Sequence, residues 1–260
     1  MDIAYINLAR ATERRAFMEA QAAGLGLSIE RVEAVDARDV PTPIVERLVN
    51  SWERPLSRAE LGCFLSHHAL WERVAATERP ILILEDDVLL SRRLPDLLPA
   101  IRALRDADLV NLEDFNRRRF VSRRSEPIAP GLSRRRTFRD KAGCAAYVLW
   151  PSGADALLTR ARKGAAPGDA FLHGAVRLKA FQCEPSLAIQ AQFAGARGIP
   201  APLEMPTQIQ AKREKLPLTF ANMRFAARRL RTQLRLTREH LRRLGPATFA
   251  RVDIDPRDFS

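Results

Sequence analysis

The sequence predicts an α/β fold with a mostly parallel sheet, flanking helices and a basic helical tail at the C-terminal end. Three observations predict it. The chain opens as strand, helix and strand ("IAYINL", "TERRAFMEAQAAGLG", "IERVEAVDA"), the unit from which parallel sheets are built. The run "ILIL" at 81–84 is apolar without alternation, as a central strand covered by helices on both faces should be. Residues 219–243 are rich in arginine and carry Phe220, Met223, Leu230, Leu234 and Leu241 in an amphipathic helical pattern.

Taken in order, "IAYINL" is short, apolar and β-rich, and reads as a buried strand. Thr12 is placed to cap the first helix, which Gly24 ends, and "IERVEAVDA" is the second strand. Ser57 and Glu60 have the spacing of a capping box. Leu61, Phe64, Leu65, His68, Trp71 and Val74 follow at helical spacing, so one of His67 and His68 should face the core. After Pro80 comes the strand "ILILE", then a helix over Asp96–Ala107 and a strand at "DLVNL". Residues 116–141 lack apolar periodicity and read as a long basic excursion. "AGCAAYVLW" is a buried strand, "SGADALLTRAR" a helix, "DAFLHGAVRL" a short helix and "CEPSLAIQ" a strand. Residues 195–217, rich in proline, separate a domain at 1–194 from a linker and basic amphipathic tail at 195–260.

The chain has 260 residues, 46% of them apolar, which argues for a packed globule rather than a disordered protein. No apolar run approaches the roughly 18 residues of a membrane span. The start "MDIAYINLARATERR" does not read as a signal peptide. Cys63, Cys144 and Cys183 are odd in number and lack metal-ligand spacing, so they are expected to be reduced, buried thiols of a cytoplasmic protein. The net charge of +12 is unevenly placed. Residues 206–260 hold 13 Lys and Arg against 5 Asp and Glu, and residues 117–141 hold ten against two. Such patches attract polyanions: nucleic acid, anionic lipid headgroups or phosphorylated glycans.

"ILILEDDVLL" drives an apolar strand into Glu85, Asp86 and Asp87. Ligands of open α/β sheets bind at the carboxyl ends of the strands. Carboxylates there can hold one Mg2+ or Mn2+, cations that prefer oxygen ligands; the alternative is a solvated acidic turn. Asn7, Arg10, Arg14 and Arg15 lie at or just beyond the end of the first strand. Arginines there can pair with phosphate oxygens, or can simply form a solvated helix face. One cationic and one anionic strand end together suit a nucleoside diphosphate bridged to a metal.

The segments "YINLARATERR", "SRAELGCFLSHHALW", "ILILEDDVLL", "AGCAAYVLWPSGA" and "PGDAFL" occur in the order seen in glycosyltransferase family 25, which the chain resembles over residues 2–192. That family includes bacterial lipopolysaccharide and lipooligosaccharide glycosyltransferases, commonly galactosyltransferases, and the collagen galactosyltransferases. Two departures stand out: Ala146-Tyr147 replaces a frequent Gly-Tyr, and residues 116–141 match nothing in the pattern.

The resemblance implies a GT-A-like, Rossmann-related sheet and an inverting transfer from a nucleotide sugar, typically UDP-galactose, with Mn2+ or Mg2+ on the diphosphate. It makes Asp87 the direct metal ligand, with Glu85 and Asp86 on the ribose or the metal's waters, so Asp87 and Glu85 are the candidate metal residues. Asn7, Leu8, Arg10 and Arg14 become the nucleotide edge, with Glu60, Ser66 and His67 near the donor. Asp169, in "PGDAFL", becomes the general base, its alternative being a helix cap. Gln190 and Trp71 read as structural residues, the alternative for Gln190 being the far wall of the pocket. The acceptor would be a glycan or glycolipid. The tail would lie on an anionic membrane with its Phe, Met and Leu face inserted, or pack that face onto the domain, placing the protein in the cytoplasm, peripheral on the inner membrane. A nucleic-acid-binding protein and a family member without catalysis are the alternatives. The patches lack interleaved aromatics and groove-reading motifs, so no nucleic acid is expected.

Overall fold

The computed structural model describes residues 1–139, 143–175, 177–200, 219–241 and 245–259. β1 (Asp2–Asn7) leads into α1 (Thr12–Gly24), and β2 (Glu30–Glu33) returns parallel to β1. Thr12 is the first helical residue rather than the cap, a position that Ala11 takes without a side-chain bond. α2 (Thr42–Leu48) precedes α3 (Arg58–Thr77). The capping box of α3 is formed: Ser57 Oγ accepts from the Glu60 amide (3.1 Å), and Glu60 Oε2 accepts from the Ser57 amide (3.0 Å).

β3 (Ile81–Glu85) lies parallel to β1, and its residues 81–84 have no solvent exposure. They alternate between two cores. Leu82 and Leu84 meet Phe17 and Met18 of α1 on one face, with Leu97 and Ile101 of α4 (Leu94–Arg102). Ile81 and Ile83 meet Phe64 and Trp71 of α3 on the other. Each such side chain stabilises the fold by about 1.5–3 kcal/mol.

Beyond them the chain builds β4 (Val88–Leu90), β5 (Leu109–Asn111), β6 (Glu113–Asp114), β7 (Arg118–Ser122), β8 (Glu126–Ala129), β9 (Leu132–Arg139) and β10 (Ala146–Leu149). α5 (Pro151–Ala161), α6 (Gly168–His173), β11 (Ala180–Glu184), β12 (Ala188–Gln190), α7 (Ala191–Ala194), α8 (Met223–Leu241) and β13 (Ala247–Arg251) complete it. The main sheet has the order β13-β7-β9-β11-β5-β10-β3-β1-β2, with β8 on β9, and β4-β12-β6 form a second, small sheet.

The fold is mixed α/β, and the sheet is mixed rather than mostly parallel. β2, β1 and β3 are parallel neighbours, as are β5 and β11, whereas β10 runs antiparallel to both β3 and β5. An unbroken apolar run records burial on both faces and carries no information on strand direction. "CEPSLAIQ" likewise divides between two strands in two sheets.

The expected basic excursion is instead three antiparallel strands, β7, β8 and β9. Several of its arginines turn inward, while Arg117, Arg118, Arg123 and Arg124 stay exposed. Arg134 pairs with Asp106 (2.6 Å) and Glu126 (2.9 Å), Arg135 with Glu184 (2.7 Å), and Arg119, 2% exposed, with Gln182. Nor is a separate basic tail formed by the described residues. α8 buries Phe225 and Leu236, and β13 then pairs with β7 at the edge of the sheet, with Val252 and Ile254 buried beyond it. Much of residues 195–217 lies outside the described residues.

Gly62 sets how closely α3 approaches the segment after β2. A Cβ built there would stand 2.7 Å from the Val35 carbonyl and 3.3 Å from the Ala37 amide nitrogen. Gly62→Ala gains about 1 kcal/mol of helix propensity, but the backbone clash costs about 1–3 kcal/mol. The expected net result is a lower urea midpoint; an unchanged or higher one would show that the two segments can separate freely.

Candidate active site

Parallel β1 and β3 end side by side, so Asn7 and Glu85 reach the same edge of the sheet, with Ile6 in register with Glu85. β10 enters this edge from the opposite direction. The Glu85 amide donates to the Ala145 carbonyl (2.8 Å), which brings Gly143, Cys144 and Ala145 to the ends of the parallel strands. β12 does the same for Gln190, which faces Val88 in the small sheet. Between these elements lies a cavity of about 360 Å3, within the range of small-molecule sites.

Each carboxyl of the triplet has a different environment. Glu85 Oε1 lies 3.2 Å from His67 Nε2 and 3.1 Å from Cys144 Sγ. His67 Nδ1 is 3.0 Å from the Tyr147 hydroxyl, which accepts from Trp71 Nε1 (2.9 Å). A neutral imidazole protonated on Nε2 satisfies this whole chain: Trp71 donates to Tyr147, Tyr147 to His67, and His67 to Glu85. Burial pushes the Glu85 carboxyl up, but the bonds from His67 and Cys144 and the charge of Arg14 outweigh it and hold it below its ordinary range.

Asp86 is fully occupied by α1 and β1. Its Oδ1 accepts from Arg14 Nη1 (2.8 Å) and its Oδ2 from Asn7 Nδ2 (2.7 Å). Asp87 is the least compensated. Gln190 Nε2 donates to its two oxygens at 3.2 and 3.4 Å, and the nearest Arg14 nitrogen stands 3.8 Å away. Burial and the neighbouring charge of Glu85 therefore push the Asp87 carboxyl up to about 7.

Leu8, Arg10, Arg14, Glu60, Ser66, His67, Glu85, Asp86, Asp87 and Asp169 all line the one cavity. Asn7 does not line it. It sits behind the wall, 1% exposed, fixing Asp86. Arg10 is paired with Asp36, and Glu60 with Arg54 at 2.6 Å, so both are already partnered. Ser66 is a strut: its hydroxyl accepts from the Val35 amide and donates to the Gly62 carbonyl, both at 2.8 Å. Asp169 stands in the first turn of α6, where Oδ1 accepts from the Ala170 amide (2.7 Å). His68 lies outside the cavity, near Glu72.

Sequence reasoning treats the three cysteines alike, and they differ. Cys183 is fully buried, whereas Cys63 and Cys144 line the cavity. The i, i+4 spacing of Cys63 and His67 on α3 was the available signal. Gly143 has φ +92°, a left-handed conformation that favours glycine. A Cβ there would strike Arg119 and Glu113 behind it, so this turn of the cavity wall requires glycine.

The raised value of Asp87 sets a pH dependence. Its ordinary value is 3.8, and the folded carboxyl holds its proton up to about 7. The unfolded chain ionises first, so the fold loses stability as pH climbs from about 4 to about 7. Asp87→Asn removes this cost. In chelator, the variant should exceed the parent by about 2–4 kcal/mol at pH 8, with the gap closing towards pH 4 in urea titrations. A gap that widens on acidification would contradict this environment.

Residues 1–172 match the family described as glycosyltransferase family 25, with the parenthetical "LPS biosynthesis protein". Among curated relatives, a glycosyltransferase 25 family member of Anopheles gambiae is 39% identical over 93 residues, which is 32% of this chain and 16% of that protein. Procollagen galactosyltransferase 2 of Homo sapiens is 27% identical over 237 residues, 79% of this chain and 37% of that protein. A Mus musculus relative named an inactive glycosyltransferase 25 family member 3 is 34% identical over 97 residues, 34% of this chain and 16% of that protein. The chain thus spans well under half the length of these relatives. With the family matched over residues 1–172, which carry most of the sheet and of the cavity wall, the chain belongs to glycosyltransferase family 25.

Proposed function

We propose that this chain is an inverting, GT-A-like glycosyltransferase. It moves a hexose, galactose by analogy with the procollagen galactosyltransferases, from a UDP-sugar to a lipopolysaccharide, lipooligosaccharide or related glycan. One observation carries the reading. Among the described residues lining the cavity, five carboxylates (Glu60, Glu85, Asp86, Asp87 and Asp169) face two guanidiniums, Arg10 and Arg14, and both arginines are already paired. A diphosphate would meet net negative charge there unless a cation accompanied it.

The residues fit a hard divalent ion, Mn2+ or Mg2+, because the uncompensated donors are carboxylate oxygens. Asp87 would hold it, with Glu85 beside it. Such an ion would supply Lewis-acid neutralisation of the leaving diphosphate. Arg14 and Asn7 hold Asp86, and the chain from Trp71 to Glu85 fixes the second carboxylate, so the cavity is ordered before the donor enters. Ile6, Leu8, Ala34 and Val35 offer an apolar wall to the nucleoside. In the transfer, the acceptor oxygen bonds the anomeric carbon as that carbon's bond to the diphosphate breaks. Asp169 takes the hydroxyl proton.

α8 supports a place for meeting a lipid-linked acceptor. Met223, Leu230, Leu234 and Leu241 are 60–64% exposed and share one side of the helix, while Phe225 and Leu236 pack the other side into the domain. Exposed Arg224, Arg231, Arg235 and Arg238 flank the outward stripe. No helix among the described residues is long and apolar enough to cross a membrane. Insertion of the stripe, with each arginine adding about 1 kcal/mol near an anionic surface, would seat the protein peripherally.

Asp87→Ala should lower UDP release in a transfer assay at least about 100-fold, and Asp169→Asn about 100-fold to 10,000-fold in kcat. Full transfer by Asp87→Ala in chelator would exclude the metal role, and donor binding without transfer by the parent would favour a non-catalytic role. On vesicles, Leu230→Ser with Leu234→Ser should reduce flotation with phosphatidylglycerol at least about tenfold. Unchanged flotation of that variant would exclude the stripe as the membrane contact.

A further inference from the structure

At the back of the cavity two thiols, an imidazole and a carboxylate converge. Cys63 and His67 are one turn apart on α3, Glu85 ends β3, and Cys144 precedes β10. The donor atoms of Cys63, His67 and Glu85 all lie within 4.8 Å of one another. Cys144 Sγ is 3.1 Å, and His67 Nε2 3.2 Å, from the same Glu85 oxygen. Gly168 gives an independent measure of the space between them. A Cβ placed on it would lie 3.3 Å from Cys144 Sγ, 3.6 Å from Cys63 Sγ and 3.7 Å from His67 Cδ2. Both sulfurs and the imidazole therefore border one small gap, and the missing side chain at 168 leaves it open.

We propose that Cys63, Cys144, His67 and Glu85 form a tetrahedral site for a soft divalent ion of the Zn2+ class. Zinc bonds of about 2.3 Å to sulfur and 2.0–2.1 Å to nitrogen or oxygen place neighbouring ligands about 3.3–3.8 Å apart. The two observed separations at Glu85 are within a few tenths of an ångström of that, and Cys63, within 4.8 Å of the His67 and Glu85 donors, closes on them by a side-chain shift. The donor set decides the metal: two sulfurs and an imidazole suit Zn2+, whereas carboxylate oxygens alone suit Mg2+ or Mn2+. The outer contacts also fit. His67 coordinates through Nε2 once its proton has moved to Nδ1, which then donates to the Tyr147 hydroxyl that also accepts from Trp71. The cavity supplies the entry path. Binding exchanges the two thiol protons, released to solvent, for one Zn2+, with no change of oxidation state.

Zinc binding itself does not depend on the transfer reading. Its consequence does: because Glu85 serves both sets, zinc at this site and a hard ion on Asp87 would be antagonists.

The test is titration of the reduced, metal-free protein with Zn2+ against a chromophoric chelator, and with Co2+ as a spectroscopic stand-in. The expected result is one equivalent bound, with thiolate-to-cobalt charge-transfer absorption. Cys63→Ser and Cys144→Ser should each weaken zinc binding about 100-fold or more and diminish that absorption, with native circular dichroism. Asp87→Asn, which leaves all four ligands in place and removes only a neighbouring charge, should lower zinc affinity by less than about tenfold. Absence of the thiolate band, unchanged affinity in both serine variants, or equal loss in Asp87→Asn would overturn the proposal.

Discussion

Three adjacent carboxylates at the end of a strand with no exposed residue repel one another, and burial takes away the water that would otherwise screen them. An unpaired buried charge costs several kcal/mol, so the surrounding structure is arranged around this one difficulty. α3 supplies His67 to Glu85, backed by Tyr147 of β10 and by Trp71. α1 and β1 supply Arg14 and Asn7 to Asp86. Among the described residues, Asp87 receives only an amide from Gln190 and a distant guanidinium. The compensation stops short at a single oxygen pair, and the cavity opens against it. That shortfall is the physical reason we propose a cation and a diphosphate at this edge of the sheet.

The positive charge of the chain behaves differently from what its total suggests. Of the two basic segments, the one on β7 to β9 spends many of its arginines on internal partners: Asp106, Glu126, Glu184 and the face of Phe181. These paired groups tie β8, β9 and β11 together and offer little to a polyanion, unlike the exposed Arg117, Arg118, Arg123 and Arg124. Most of those on α8 point outward around a leucine stripe, whereas Arg228 donates to the Trp52 carbonyl (3.1 Å). Net charge is a statement about sequence; available charge is a statement about which acceptors the fold brings near.

This distinction also separates what was legible in the sequence from what was not. The strand–helix–strand opening, the Ser57–Glu60 box, the buried run 81–84 and the end-of-strand placement of Glu85, Asp86 and Asp87 all rest on local patterns, and local patterns survive folding. Strand direction is not local. A parallel β10 would have carried Cys144 to the opposite edge of the sheet; its reversal puts Cys144 against Glu85. Gln190 reaches Asp87 for a similar reason, through the antiparallel pairing of β12 with β4. The arginine-rich strands lack a clear apolar alternation because Arg119 and Arg134 take inward positions beside Val121 and Leu132. Asn7 lies at the end of the first strand as its place in "YINL" implies, and its side chain there is committed to Asp86, a partner distant in sequence.

The central claim is that Asp87 accepts a cation which in turn accepts the donor's diphosphate. Calorimetric titration of UDP-sugars, with and without Mn2+, on the parent protein and on Asp87→Asn tests it most directly. The account predicts that Mn2+ raises the parent's donor affinity by at least about tenfold, or about 1.4 kcal/mol, and that Asp87→Asn loses this gain while still binding donor weakly. Equal donor affinity with and without Mn2+, unchanged by Asp87→Asn, would contradict it.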